Sequence, residues 1–255
     1  MKSIAIDRLF DRYDLLARVA PGLLPVLVPG ASILIAYPEF QPHGMSQWAG
    51  SGVVGIAVLW LLASWARSRG RQIQEHLKKE WGGLPTEILL RHSDPTIEAL
   101  TKRRYHAALK TIARDISFPD PPAERSDPDS ADAAYRSAIR RLVEGRRGAK
   151  FQLILDDNIA YGFWRNLLGM KGPAILIALA VMSIIGIPEL TAIATSSSDV
   201  ISVVIKPHRI IGAMLDLSWL AFLGFAVTSR QVWDAGKAYA ERLLASLDLT
   251  TNSNI

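Results

Sequence analysis

GPAILIALAVMSIIGI, residues 172–187, contains a single clearly polar side chain, that of Ser183. A surface helix of a soluble protein would alternate apolar and polar faces, so this stretch predicts a helix that is buried on all sides. Three further stretches lack Lys and Arg and are of similar length: Val19–Tyr37, Gly50–Ala66 and Ile210–Ser229. A hydrocarbon core of roughly 30 Å requires about 20 predominantly apolar residues of helix, so the sequence predicts four membrane spans.

The rest of the composition agrees with a membrane protein made only of helices. Hydrophobic residues make up 49% of the 255-residue chain and are concentrated in the four blocks. The blocks form two hairpins, 19–66 and 172–229, around a charged segment, 67–171. We therefore predict an all-α integral membrane protein with two transmembrane helical hairpins bracketing a cytoplasmic helical domain. An interfacial helix, 1–18, precedes the first hairpin, and an amphipathic helix with a tail, 230–255, follows the second.

The distribution of Lys and Arg predicts the orientation in the membrane. Twenty of the 29 Lys and Arg residues lie in segment 67–171, whereas none lies in the connection 38–49. Because cytoplasmic loops carry the excess of basic residues, we expect this segment and both termini in the cytoplasm, and the chain in the cell (inner) membrane. Arg67, Arg69 and Arg71 are expected to attract anionic lipid headgroups of the bilayer. Nucleic acid is an unlikely partner because no recognised binding motif accompanies the charge.

The first two spans contain proline and small residues with defined expected roles. Pro21, Pro25 and Pro29 are four residues apart, which places them on one helical face, and each lacks a backbone N–H. They predict a bend or a local opening, used either as a packing kink or as a gating hinge. Ser51 and Gly55 predict close helix packing, within the chain or between copies.

Asp216 is the only ionisable residue within the four predicted spans. A charged group there costs at least about 3 kcal/mol unless it is neutralised, paired or hydrated, so it is a site hypothesis by default. In one interpretation the role is structural, and Asp216 reaches the outer headgroups or pairs with Arg209. In the other, Asp216 lines a pore, contacts an ion or forms a hydrogen bond between subunits.

Other chemistry is not indicated by the sequence. The chain has no cysteine, and its histidines, at positions 43, 76, 92, 106 and 208, lack zinc-ligand spacing. There is no P-loop, nucleophile elbow or kinase signature. We therefore expect a protein that is not an enzyme, with no metal and no cofactor.

The cytoplasmic segment is predicted to be helical with defined interruptions. The second span continues as one helix until glycines 82–83 stop it. Another helix runs over about 93–116, with Asp94 as its cap. The proline-rich stretch 118–128 is expected to be a surface linker. A further helix runs from Phe151 directly into the third span.

Two short motifs, Trp81–Thr86 (WGGLPT) and Asn158–Asn166 (NIAYGFWRN), together with the span layout, resemble uncharacterised bacterial four-span membrane proteins. The resemblance implies a multi-pass membrane protein and supplies no activity for any residue. Trp164 and Arg165, in the second motif, are expected at the cytoplasmic membrane surface. There Arg165 either holds a phosphate headgroup or has a structural role as a helix cap.

The span layout suggests three functions. Four short spans with few polar residues enclose little aqueous volume, so a conducting path needs several copies around an axis, which predicts a homo-oligomer. The leading hypothesis is a pore-type or membrane-perturbing effector subunit, controlled through its cytoplasmic domain by a soluble protein or a small signalling ligand. The alternative is a non-conducting membrane anchor or scaffold that recruits a soluble partner. A small transporter is a weaker third possibility because the hairpins show no inverted repeat.

Overall fold

The computed structural model describes residues 11–40, 52–195 and 206–251. Within these residues all regular structure is helical and there is no β-strand, which confirms the all-α prediction. In chain order the helices are α1 (Arg12–Ala36), α2 (Gly52–Trp81), α3 (Pro85–Ile88), α4 (Ala99–Ile112), α5 (Pro121–Ser126), α6 (Pro128–Gly145), α7 (Gln152–Thr195), α8 (Pro207–Phe225), α9 (Ser229–Ala245) and α10 (Leu247–Thr251).

Three of these helices are long and apolar enough to cross a membrane: α1, the part of α7 up to Thr191, and α8. The second predicted span starts among residues 41–51, which lie outside the described part of the chain. Its described apolar portion, 52–66, is shorter than the roughly 20 residues that a crossing requires, and Arg67 then begins a charged stretch.

The chain divides into two compact units. The apolar unit is the described part of residues 1–73 and 162–228, and the polar unit is the described part of residues 74–161 and 229–255. Helices α2 and α7 each contribute residues to both units. Both are continuous, so the predictions that the second span extends to the glycine pair and that a helix leads directly into the third span are confirmed.

Close backbone contacts join the helices of the apolar unit. A Cβ atom on Gly22 of α1 would lie 2.5 Å from the backbone oxygen of Leu62 in α2, so the two helices can meet here only at glycine. A Cβ atom on Gly212 of α8 would likewise lie 2.5 Å from the backbone oxygen of Ser32 in α1, so these two helices also meet at a glycine. Between α7 and α8 lies a cluster of buried apolar side chains: Leu167, Ala174, Ala178, Trp219, Leu223 and Val227.

The three prolines of α1 lie on its buried face, as their spacing predicts. Immediately before them, Leu15–Val19 forms a π-helical turn, in which each hydrogen bond spans one residue more than in an α-helix. This turn precedes the prolines. The bend or local opening that the prolines predict, and its use as a packing kink or a gating hinge, stays a prediction.

The polar unit has its own hydrophobic core. Helices α4, α6, α9 and α10 and the segment after α3 supply its buried side chains, among them Leu89, Leu90, Leu109, Tyr135, Leu142, Leu243, Leu244 and Leu247. The amphipathic face predicted in the C-terminal segment is buried in this core. A helical domain with a closed interior of this kind has no need of lipid to cover its apolar residues.

Two local predictions for the polar unit are wrong. The helix expected from residue 93 starts only at Ala99, because the Asp94 carboxylate accepts a hydrogen bond from the N–H of Thr96, 3.0 Å away, and closes a turn. The expected linker 118–128 contains helix α5, which Asp120 caps by accepting from the N–H of Ala123 at 2.8 Å. The end of α2 is as predicted, with Gly82 at a φ of 75°.

Candidate functional site

One face of α8 is directed into the apolar unit. Its buried residues, Gly212, Asp216, Trp219 and Leu223, are spaced by four, three and four positions, which is the spacing of a single helical face. Asp216 therefore lies on the face that packs against other helices. Its relative exposure is 0%, so the interpretation in which it reaches the outer headgroups is wrong.

Neither carboxylate oxygen of Asp216 has a hydrogen-bond partner among the described residues. The indole Nε1 of Trp219, one helical turn further along the same face, is also buried without a partner. Buried polar groups in proteins are almost always hydrogen-bonded, because leaving one unsatisfied costs free energy. This face of α8 is therefore the candidate site, because an acid and an indole donor on adjacent turns both lack a partner among the described residues.

The structural partner proposed for Asp216 is engaged elsewhere. The guanidinium of Arg209 forms a salt bridge with Glu189 of α7 and lies over the ring of Tyr37, 4.8 Å from its centre. The prediction that Arg209 pairs with Asp216 is therefore wrong. Glu189 Oε2, Arg209 Nε and the Nε2 of His208 are buried without hydrogen-bond partners at this end of α8.

A second cation of the apolar unit is engaged at the other end of α8. Lys171 of α7 donates from Nζ to the backbone oxygen of Val227, 2.9 Å away, and to that of Gly224 at 3.4 Å. The last carbonyl groups of a helix lack internal partners, so this lysine acts as a C-terminal cap. Neither Arg209 nor Lys171 forms a salt bridge with Asp216.

The helix α1 supplies the surface opposite Asp216. Gly212, one turn before the acid, contacts Ser32 and Ala36, while Leu24 and Val28 pack on the cluster that contains Trp219. The intervening α1 residues include Pro29. Because Pro29 has no N–H, the carbonyl of Pro25 loses its α-helical donor close to this level. The unit thus places a carboxyl group beside a helix whose hydrogen bonding is interrupted.

Asn166 compensates for another of the prolines. Pro21 cannot donate to the carbonyl of Ala17, and that oxygen instead accepts from Asn166 Nδ2 at 2.5 Å. Asn166 is fully buried, and its Oδ1 accepts from Arg165 Nε and Nη2 at 3.3 and 3.2 Å. Arg165 thus has a structural contact, while its role as a headgroup ligand stays a prediction.

The other predicted membrane-surface residues are separated from Asp216. Arg67, Arg69 and Arg71 are exposed on α2, and Arg69 donates from Nε to the backbone oxygen of Gly169 at 3.2 Å. Trp164 is half-buried, with its ring 6.3 Å from that of Phe222 in α8. A cleft of about 230 Å³ adjoins Arg69 and is lined also by Gln72, Ile73, Leu168, Gly169 and Gly172.

Of the two predicted packing residues of the second span, Ser51 lies outside the described residues, and a Cβ atom on Gly55 would meet no described atom within 4 Å. Other glycines bring the helices of the apolar unit together: Gly22, Gly70, Gly162, Gly169 and Gly212. Gly22 and Gly212 have no small residue four positions away to mark them. Packing of Gly55 against a second copy stays a prediction.

The polar unit buries two carboxyl groups, those of Glu87 and Glu124, which sequence analysis missed. Glu124 of α5 has 5% relative exposure and accepts from the N–H of His92 at 2.8 Å, the N–H of Ser93 at 3.1 Å and the hydroxyl of Tyr135 at 2.7 Å. Burial raises the pKa of Glu124, and these hydrogen bonds lower it by more, so the pKa of Glu124 lies below its usual value.

Two basic groups near Glu124 are also buried and bonded. His106 Nε2 donates to the backbone oxygen of Leu90 at 2.8 Å, and burial lowers the pKa of His106. Lys102 donates from Nζ to the backbone oxygen of Arg91 at 2.7 Å, and burial lowers the pKa of Lys102. These contacts fix the irregular segment between α3 and α4 and account for each group structurally.

No cofactor site emerges from the described part of the chain, in which no group of three or more His, Asp or Glu side chains could hold a metal ion. A scan against models of protein families, a search of curated proteins and a search of solved structures each gave no match. The candidate functional site is therefore Asp216 with its surroundings.

Proposed function

We propose that this chain is a multi-pass membrane protein that acts as a pore-type, ion-permeable subunit, with Asp216 as the ion contact and the polar unit as the controlling domain. The observation that carries the proposal is the carboxyl group of Asp216, fully buried in a candidate span with both oxygens unpartnered. Ionisable residues inside spans are costly and mark ion pathways and proton relays.

The exposed surface of the apolar unit supports a lipid environment. Large apolar side chains are exposed on all the helices of this unit, including Leu27, Val58, Trp60, Leu61, Leu176, Ile187, Ile211, Met214 and Phe225. Soluble monomers rarely expose apolar surface on this scale, because its contact with water is unfavourable. In the proposal this surface faces lipid or other copies of the chain.

The proposal includes α2 as the fourth span. Its membrane-side residues are tied to α1 at Gly22 and through the packing of Ala63 on Val19, and aromatic Trp60 and Trp65 are exposed on it. A helix that packs on a spanning helix and presents aromatic residues outward fits a bilayer interface. With α2 spanning, the excess of basic residues places the polar unit and both termini in the cytoplasm.

Control by the polar unit is proposed from chain continuity. Helices α2 and α7 each run without a break from one unit into the other. Rigid helices can transmit a change of packing along their length, so binding of a soluble protein or small ligand to the polar unit would act on the apolar unit through them.

The test is ion flux through the full-length protein reconstituted in liposomes. We expect the wild type to dissipate an imposed proton or alkali-cation gradient and Asp216→Asn to lose most of this flux while inserting normally. Asp115→Asn is a matched control, because Asp115 is an exposed acid of the polar unit, paired with Arg141. Equal flux from wild type and Asp216→Asn would contradict the proposal, as would strict impermeability of the wild type under all activating conditions.

The proposed contact between copies of the chain can be tested by a substitution of Gly55. Because nothing lies within 4 Å of its added Cβ, Gly55→Leu is compatible with the single chain. If copies pack through this glycine, the substitution lowers the mass of the detergent-solubilised complex without unfolding the protomer. Cross-linking and light scattering that show the same oligomer for wild type and variant would exclude Gly55 from the contact between copies.

A non-conducting anchor or scaffold is the second candidate function, favoured by one feature of the polar unit. A groove of about 300 Å³ beside the start of α7 and the end of α9 has exposed Leu153 and Leu249 on its walls. An apolar groove of this kind suits a partner segment. A stoichiometric soluble partner whose binding is abolished by Leu153→Asp, in a protein that never conducts, would favour this function.

A further inference from the structure

We propose that the ion held at Asp216 is a proton: the resident form of this side chain is the neutral carboxylic acid, buried inside the apolar unit, and its ionised form is transient. The inference rests on the proposed function in one respect, the placement of α8 in a bilayer. It does not require that the protein conducts.

The surroundings of Asp216 do not suit a metal cation. Calcium and magnesium ions are held by about six to eight oxygen ligands, usually including carboxylates. The described residues offer one carboxyl group here, and the nearest unsatisfied side-chain atom on the same face, Trp219 Nε1, is a hydrogen-bond donor that would repel a cation.

The charged groups on the packed helices do not stabilise an ionised Asp216. Helix α1 has no ionisable residue between Ala20 and Ala36. On α7, Lys171 is bonded to carbonyl groups of the inner end of α8, and Glu189 is bonded to Arg209. The remaining ionisable groups of the unit's described segments, at its two ends, are Asp11, Arg12, Tyr13, Asp14, Arg18, Tyr37, Glu39, Arg67, Arg69, Arg71, Arg165, Lys206 and His208, and none bonds to Asp216.

An isolated carboxylate without partners is the least favourable form of this group in an apolar interior, and such groups neutralise instead of remaining charged. A protonated carboxyl group has one O–H donor and one carbonyl acceptor. On the packed face of α8 the N–H of Trp219, one turn from Asp216, has no acceptor among the described residues. On α1 the carbonyl of Pro25 lacks its α-helical N–H donor because residue 29 is proline. The neutral acid has the acceptor and the donor that these two groups lack.

Infrared spectroscopy of the full-length protein in liposomes tests this directly. At neutral pH exposed Asp and Glu side chains are ionised, so a carboxylic-acid C=O band at pH 7 reports a buried neutral acid. We expect this band in the wild type and in Asp115→Asn, its loss in Asp216→Asn, and its return at a shifted frequency in Asp216→Glu. In Trp219→Phe we expect a change of frequency, because the buried N–H dipole one turn from the acid is removed.

Three results would overturn the inference: no protonated-carboxyl band in the wild type at pH 7, an unchanged band in Asp216→Asn, or loss of the wild-type band when Na⁺ replaces a large organic cation at constant pH. The last would identify a cation site. The flux assay separates the two proposals. An Asp216-dependent band in impermeable liposomes supports the proton site and contradicts the pore, whereas Asp216-dependent flux without a band supports the pore and contradicts the proton site.

Discussion

Both units bury carboxyl groups, and Glu124 of the polar unit differs from Asp216 of the apolar unit in what surrounds it. Glu124 in the polar unit receives hydrogen bonds from two backbone N–H groups, a serine hydroxyl and a tyrosine hydroxyl. Asp216 in the apolar unit receives none from the described residues. A buried charge is tolerated when donors replace its lost hydration, and Glu124 meets this condition whereas Asp216 does not.

The difference separates a structural acid from one for which we propose a function. Glu124 connects the segment after α3 to α5 and α6, and removing it would leave several donors unsatisfied. Asp216 bonds to no described neighbour, so a protein selected for stability alone would gain by replacing it with an apolar residue. The proposed function accounts for its presence, because that function needs a titratable or polar group at this depth.

The largest expected difference is between the effects of two matched amide substitutions, one in each unit, on the stability of that unit. Glu124→Gln should destabilise the polar unit by about 3 kcal/mol, because the new NH₂ group faces donors that need an acceptor. Asp216→Asn should leave the stability of the apolar unit nearly unchanged, since Asp216 has no hydrogen-bond partner among the described residues and the amide, like the neutral acid, carries no charge. Hydrogen exchange of α4 and α6 against α1 and α8, measured in the same intact protein, reads the two units separately. Similar losses for both variants would remove the distinction.

Removing one donor to Glu124 should give a smaller effect. Tyr135 is fully buried and its hydroxyl donates to Glu124 at 2.7 Å, so Tyr135→Phe costs a bond to a charged acceptor, about 1.5 kcal/mol. The other donors to Glu124 remain, which limits the loss. Faster exchange in α6 and unchanged exchange in α8 are expected. No effect of the substitution on α6 would show that the hydroxyl contributes nothing to the stability of the polar unit.

Lowering the pH should reduce the free energy of unfolding of the polar unit in two steps. The pKa of His106 is lowered by burial, so the unfolded chain binds the proton more strongly and stability falls as the pH drops below the usual His value of 6.5. The pKa of Glu124 is lowered by its hydrogen bonds despite burial, so its contribution is present above 4.5 and is lost as the pH falls through the folded-state value. His106→Phe should abolish the first step and retain the second, as measured by unfolding between pH 8 and about 3.

The sequence predicted the residues whose signal is local. Asp216 is the one ionisable residue in an apolar run, the prolines of α1 recur every four residues, and Gly82 and Gly83 interrupt a long helix. Each can be recognised within a few positions of the chain, and the structure has the prolines on one buried face and the end of α2 at Trp81.

The residues that were missed depend on contacts between distant segments. Glu124 lies in a proline-rich stretch that is typical of a surface linker, and only the approach of residues 92–93 and of Tyr135 makes it a buried acceptor. Asp94 was expected to cap a helix because its neighbours match the pattern, but a turn through Thr96 satisfies its carboxylate first. The pairing of Arg209 with Glu189 instead of Asp216 was likewise not predictable from spacing along α8.

The most direct test of the account is whether lipid surrounds the apolar unit while the polar unit lies in water on the inner side. The chain has no cysteine, so a thiol reagent can label this protein only at a cysteine that has been introduced. We predict that a membrane-impermeant maleimide added to intact cells labels Glu39→Cys, labels Glu144→Cys only after the membrane is opened, and labels Leu176→Cys only after denaturation. Labelling of Leu176→Cys from water in the folded protein, or of Glu144→Cys in intact cells, would contradict the account.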